Sequence, residues 1–130
     1  MLSWIKNWLQ DRRQRVQIGG EHSTWQKVKS GVPQGSLLGP VLFKVHINDI
    51  DLAVPEITLL TKFADDTKLL QKIRGEDDRR RLQAALDALM DWAAAWGMAF
   101  NTEKCKVVHV GRTNPCYQYS MGSANLASSD

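Results

Sequence analysis

Two short apolar runs, Ile57–Phe63 and Lys68–Ile73, are separated only by Ala64-Asp65-Asp66-Thr67, and they constrain this chain more than any other feature. Runs rich in Ile, Leu and Thr favour extended backbone, and a four-residue polar link between them makes a tight turn. The sequence therefore predicts an antiparallel hairpin, ended by Gly75, with two carboxylates at or beside its tip. Leu59, Leu60 and Phe63 before the link and Leu69 and Leu70 after it predict that a buried ribbon holds the tip. Adjacent aspartates repel each other and add nothing to a core, so the dipeptide alone reads as a solvated turn. A rigid ribbon presenting carboxylates also suits Mg²⁺, which takes one or two of them plus substrate phosphates. Two such ions can clamp the attacking and leaving oxygens of a phosphoryl transfer.

The rest of the chain supplies helices to cover that ribbon. Glu76, Asp77 and Asp78 suit a first helical turn, where the backbone dipole favours anions. Leu82, Ala85, Leu86, Leu89, Ala93 and Trp96 recur at steps of three and four. That wide apolar face predicts a helix over roughly 77–96, with Gly97 as its C-cap. Upstream, Trp4, Ile5, Trp8 and Leu9 form a helical stripe within residues 3–14. Two β-like runs, Arg15–Ile18 and Thr24–Val32, flank Gly19–Ser23 and read as a hairpin, with Trp25, Val28 and Val32 offered to the core. Pro33-Gln34-Gly35-Ser36 has turn composition. Leu37–Ile50 then reads as a helix with Ser36 as N-cap and Pro40 in the first turn. Lys106–Val110 is the last predicted strand, and the Gly-, Ser- and Asn-rich stretch after Gly111 reads as a poorly ordered tail. This order predicts the α+β class, an antiparallel sheet with packed helices.

Composition bounds these expectations. A chain of 130 residues suggests one domain at most, and 43% hydrophobic with 24% charged residues matches a soluble globular domain. The five Trp are expected to be mostly buried or half-buried. No stretch reaches the roughly 18 apolar residues of a membrane span. Lys6 and Asn7 interrupt the apolar N-terminus, so no signal peptide is expected. Cys105 and Cys116 lack metal or redox spacing, and reduced thiols in an intracellular protein, nuclear or cytoplasmic, are expected. The net charge of +3 permits a polyanionic partner without demanding one. Residues 1–31 hold six cations (Lys6, Arg12, Arg13, Arg15, Lys27, Lys29) against Asp11 and Glu21, a surplus larger than the whole chain's. Basic runs are usually a solvated face.

Ser30-Gly31-Val32-Pro33-Gln34-Gly35-Ser36 is a second candidate site. Glycines on each side of Pro33-Gln34 let the backbone and the Gln34 amide approach a ligand closely, and the amide both donates and accepts. The N–H groups opening the next helix favour a phosphate. Alone, the segment is an ordinary strand–turn–helix connection. Continued through Leu37-Leu38-Gly39-Pro40-Val41-Leu42-Phe43, with Ile47-Asn48-Asp49 soon after, it resembles motif B of LINE-type (non-LTR retrotransposon, jockey-like) reverse transcriptases almost letter for letter. Phe63-Ala64-Asp65-Asp66 is similar to their motif C. Trp96-Gly97-Met98-Ala99-Phe100-Asn101, followed by Lys104, resembles motif D, and Tyr117 to Leu126 resembles the start of motif E, the primer grip. These motifs in this order are specific where the Asp-Asp pair alone is not. Residues 1–112 would be a partial palm domain and residues 113–130 the start of motif E within the tail.

The resemblance implies roles. Asp65 would be the direct ligand of Mg²⁺ (or Mn²⁺) and Asp66 the supporting acid. Pro33, Gln34, Gly35 and Ser36 would line the nucleotide and template-base pocket. Lys104 would approach the nucleotide phosphates; without the resemblance it reads as a solvated lysine beside a strand. Tyr117 and Met121 would support the primer end. The partners would be an RNA template, a DNA primer and deoxynucleotide triphosphates, with no membrane. In that family a further aspartate, on a strand before the first palm helix, completes the metal site. It is expected upstream of Met1, and Asp11 does not match its motif. An exposed sheet edge and apolar surface are therefore expected beside the hairpin. The implied reaction is attack of a primer 3′-hydroxyl on a deoxynucleotide triphosphate, assisted by two metal ions, which these residues alone are not expected to perform. The alternative is a non-catalytic relic or a weak nucleic-acid-binding module using the basic first quarter and Trp25.

Overall fold

Described over residues 2–129 in a computed structural model, the chain divides into two units, Met1–Val45 and His46–Asp130, where its length alone suggests one domain. In the first unit, helix α1 (Leu2–Leu9) stops five residues short of its predicted end. Asp11 adopts a φ of 50°, a left-handed conformation that a helix does not continue through. Trp4 and Trp8 stack with ring centroids 5.8 Å apart, yet no α1 residue is buried. The stripe is a self-stacked aromatic face rather than a core face.

Strands β1 (Arg13–Gln14), β2 (Gln17–Ile18), β3 (Glu21–His22) and β4 (Gln26–Lys27) follow. β1 pairs with β4 and β2 with β3, both antiparallel, so the predicted hairpin is one ribbon in two segments. Gln14 faces Gln26 and Gln17 faces His22, so Ser23, Thr24 and Trp25 oppose only Arg15 and Val16. The extra residue is a β-bulge. The Val16 N–H donates to Ser23 Oγ at 2.9 Å, and the Ser23 N–H donates to the Val16 carbonyl at 3.0 Å. The bulge delays the start of the strand predicted over Thr24–Val32, which is paired only at Gln26–Lys27. Trp25 stays 56% exposed and is not a core residue. After the Pro33–Ser36 turn comes helix α2 (Leu38–His46), four residues shorter than predicted at its C-terminal end.

The second unit is organised around one long helix. A 3₁₀ turn (Ile50–Ala53) leads into strands β5 (Leu59–Phe63) and β6 (Asp66–Leu70), then helix α3 (Glu76–Ala95). The predicted hairpin is present, paired from Leu59 with Leu70 to Phe63 with Asp66, although Asp66 lies in the strand and not in the link. The acidic first turn of α3 pairs with the next turn, Glu76 with Arg79 at 2.6 Å and Asp77 with Arg80 at 3.2 Å. At the other end Gly97 takes a φ of 65°. Its N–H donates to the Ala94 carbonyl at 3.1 Å, and the Met98 N–H donates to the Ala93 carbonyl at 2.7 Å. Both bonds need a left-handed residue at that point, which glycine adopts without a Cβ penalty.

Two faces of α3 are covered. Ala85 and Leu89 cluster with Ile50 and Val54, with Leu60 and Leu69 of the hairpin against them. Leu86 clusters with Tyr119, Met121 and Leu126. Leu89 is only 1% exposed, whereas Trp96, predicted on the buried face, is 46% exposed. Trp96 is the C-cap residue and leaves the helical period before it can follow that face. Trp4 and Trp25 are also exposed; Trp8 and Trp92 are half-buried, so the tryptophans are less buried than expected.

The tail departs most from expectation. Strand β7 (Lys106–Val108) ends two residues early, β8 (Ser120–Met121) and β9 (Ala124–Asn125) form a hairpin, and β10 (Ala127–Ser129) pairs in parallel with β7. Tyr119, Met121 and Leu126 are buried, so this stretch is part of the core and not a poorly ordered tail. Its glycine and serine mark the turn between β8 and β9. Gln83 of α3 fastens β8, accepting from the Ser120 N–H at 3.0 Å and donating to the Ser120 carbonyl at 2.9 Å. The fold is α+β. Among the described residues its strands form separate two-stranded ladders, one of them parallel, and not one antiparallel sheet.

Candidate active site

Two residues, Ala64 and Asp65, make the β5–β6 turn, and Asp66 opens β6 opposite Phe63. Ala64 has a φ of 52°. Positive φ at the first of two central residues is the pattern of a type II′ hairpin turn, where glycine is usual. An alanine there costs roughly 1–2 kcal/mol of local backbone energy. Such strain persists only where the surrounding structure determines it, and the ladder on both sides does so here. Both carboxylates are exposed, and no ion pair among the described residues engages either.

The ribbon is held from one side. Leu60, Lys62, Thr67 and Leu69 are half-buried, while Leu59, Phe63 and Leu70 share the other face with Asp66 and are exposed, Phe63 to 83%. The expected buried ribbon is therefore covered on one face only, where α3 and the 3₁₀ turn reach it. The outer edges of β5 and β6 are unpaired among the described residues, and the expected apolar surface is the Leu59–Phe63–Leu70 face. Polar contacts fix the covered side. Lys62 Nζ lies 2.6 Å from Asp51 Oδ1 and donates to the Asn48 carbonyl at 3.3 Å. Trp92 Nε1 donates to Asp49 Oδ1 at 3.2 Å. The Ile47-Asn48-Asp49 stretch is thereby tied to both the strand that carries the turn and the helix beneath it. At the far end, Gln71 Oε1 accepts from the Thr58 N–H at 3.0 Å and from Thr58 Oγ1 at 2.8 Å.

In the first unit the Ser30–Ser36 turn is built tightly. The Arg12 guanidinium donates to the Gly31 carbonyl. Ser36 is the predicted N-cap: its Oγ accepts from the Gly39 N–H at 2.9 Å and donates to the Pro33 carbonyl at 2.8 Å. With its hydroxyl engaged twice, Ser36 shapes the turn. Gln34 and Gly35 are exposed and Pro33 is half-buried. A Cβ on Gly39 would lie 2.6 Å from the Pro33 carbonyl oxygen, so only glycine lets the turn fold onto the helix start. The sequence assigned Arg12, Gly39 and Ala64 no part in shaping these turns. Glycine beside proline in a Gly-Pro helix start was the one available signal for Gly39.

The remaining candidates fall in the second unit. Lys104 is exposed, at the end of a turn in which its N–H donates to the Asn101 carbonyl at 3.1 Å. Tyr117 is half-buried, with the Arg79 guanidinium carbon 5.7 Å from its ring centroid. Met121 is 5% exposed, inside the cluster on α3. A side chain so placed supports the β8–β9 hairpin from within. Burial pushes the neighbouring Tyr119 phenol above its ordinary value. Chemically, Asp65 and Asp66 are oxygen donors suited to a hard divalent cation, with water or phosphate completing its shell. Among the described residues, no three His, Cys, Asp or Glu side chains converge to hold a metal ion.

The sequence profile of the family "Reverse transcriptase (RNA-dependent DNA polymerase)" matches residues 1–123, and the chain belongs to that family. Within it, the chain is of the jockey-like, non-LTR retrotransposon kind. It is 36% identical over 120 residues to the RNA-directed DNA polymerase from mobile element jockey of Drosophila melanogaster, covering 86% of this chain and 13% of that protein. To the probable RNA-directed DNA polymerase from transposon BS of the same species it is 33% identical over 120 residues, 87% of this chain and 12% of the relative. The probable polymerase from transposon X-element is 33% identical over 104 residues, covering 77% and 12%. The chain thus spans about an eighth of the length of these curated relatives. No solved structure matches.

Proposed function

We propose that these residues are the part of an RNA-directed DNA polymerase palm that presents the metal-binding carboxylates and shapes the nucleotide pocket. The observation that carries this reading is the Asp65-Asp66 pair, exposed and free of ion pairs among the described residues, on a turn whose ribbon is anchored by Lys62 and by packing on α3. Bound there, Mg²⁺ or Mn²⁺ would neutralise charge on a nucleotide's phosphates and activate a primer hydroxyl. Asp65, on the turn, is the direct ligand, and Asp66, held by the ladder, is the supporting acid. Gln34 and Gly35 face the nucleotide and template base, while Ser36 and Gly39 hold that turn in shape. Lys104 offers a mobile cation to phosphates, and Tyr117 supports the primer end. An RNA template, a DNA primer and deoxynucleotide triphosphates are the partners.

The pair cannot supply the whole site. Clamping two ions about 3.5–4 Å apart takes carboxylates from more than one strand, and neighbouring strand residues point to opposite faces. The 130 residues therefore bind a divalent ion weakly and do not extend a primer. A Mn²⁺ titration followed by electron paramagnetic resonance tests the metal assignment. One weak site is expected, lost in Asp65→Ala and weakened in Asp66→Ala. Binding that survives both substitutions would place the ion elsewhere.

A further inference from the structure

We infer that one face of the β1–β4 ribbon is a binding platform for single-stranded nucleic acid, with Trp25 as the stacking surface and Arg13, Arg15 and Lys27 as phosphate ligands. The inference starts from an anomaly in the ladder. Arg13 stands directly opposite Lys27, and like charges in that position destabilise a strand pair. Two positions further along, where the ladder opens into the bulge, the Arg15 guanidinium carbon lies 4.7 Å from the Trp25 indole centroid. Opposed residues share a face and alternate residues return to it, so Arg13, Arg15, Trp25 and Lys27 lie together. Gln14 and Gln26 take the opposite face. Both strands are fully exposed. Among the described residues the ion pair these cations make is Lys27 with Asp11 at 3.6 Å, with both side chains mostly in solvent, where such pairs are weak.

Trp25 keeps 56% of its surface exposed on the ribbon that carries these three cations. The bulge beside Trp25 also fits this use, since bulges re-aim a neighbouring side chain. The chemistry that satisfies all four residues is an anionic backbone carrying flat, unpaired bases. Every base offers a π-face to an aromatic side chain, and the phosphates relieve the Arg13–Lys27 repulsion. A duplex hides its base faces and would use the cations alone. No metal ion and neither aspartate of the β5–β6 turn is required.

The test is fluorescence anisotropy of the 130-residue chain with a labelled oligothymidylate, a duplex of equal length, and polyglutamate as competitor. Trp25→Ala is expected to weaken single-strand binding by roughly five- to a hundredfold, and Trp25→Phe to retain most of it. Trp25→Leu keeps apolar bulk without a π-face and should bind as poorly as Trp25→Ala. The double variant Arg13→Gln/Lys27→Gln should lower the salt slope by about 1.4 and raise the melting temperature of the free chain by removing the like-charge pair. Chelating divalent ions with EDTA should leave oligothymidylate binding unchanged, which separates this site from the metal site. Equal affinity for duplex, or equally strong competition by polyglutamate, would overturn the platform, as would wild-type binding by Trp25→Leu.

Discussion

At the scale of single residues, two backbone positions decide the shape of the candidate site. Gly39 has no room for a side chain, because its Cβ would meet the Pro33 oxygen at 2.6 Å and Ser36 Oγ at 3.0 Å. Gly39→Ala is expected to destabilise the chain by about 1–3 kcal/mol, the range for overpacking a tight site. Urea denaturation measures this, and an unshifted midpoint would mean the turn does not rest on the start of α2. Ala64 presents the opposite case. Its φ of 52° is one that glycine adopts freely. Relief of about 1–2 kcal/mol of strain outweighs glycine's entropic cost of roughly 0.5–1 kcal/mol, so Ala64→Gly should stabilise the chain slightly. A lower melting temperature in that variant would show that the turn is not strained.

At the scale of elements, the hairpin β5–β6 depends on α3. An isolated two-stranded hairpin is marginal in water, and this one buries a single face against the cluster around Leu89. Leu89→Ala should cost about 2–5 kcal/mol, as for other buried leucines. Trp96→Ala, at an exposed cap position, should cost much less. Equal losses in thermal denaturation would contradict the division of α3 into buried and exposed residues. The hairpin and α3 were legible because their signals are local, a period of two and a period near 3.6. The one-sided burial of the ribbon was not, since Leu59 and Leu60 offer apolar groups to both faces alike. The β8–β9 hairpin was hidden for another reason. Its core residues Tyr119, Met121 and Leu126 are spread through polar sequence, and the Gln83 amide that fastens it lies 37 positions earlier. In the candidate site, the resemblance picked out Asp65, Asp66 and the Pro33–Ser36 turn. Gly39 and Ala64 lie inside those motifs, but their part is in backbone shape, a close approach and a positive φ, which residue chemistry does not reveal.

At the scale of the whole molecule, the chain combines a reverse-transcriptase sequence over residues 1–123 with a carboxylate pair that no third ligand joins among the described residues. Charge explains why that matters. A triphosphate and a primer end gather several negative charges at one point, and two ions must be held together to neutralise them. The most direct measurement is primer extension on an RNA template with saturating Mg²⁺ and deoxynucleotides. It compares the 130-residue chain with the same chain joined to the sequence that precedes the matched region in the jockey relative. The account predicts synthesis by the longer chain only, abolished there by Asp65→Ala. Template-dependent synthesis by the 130 residues alone, abolished by Asp65→Ala, would contradict it.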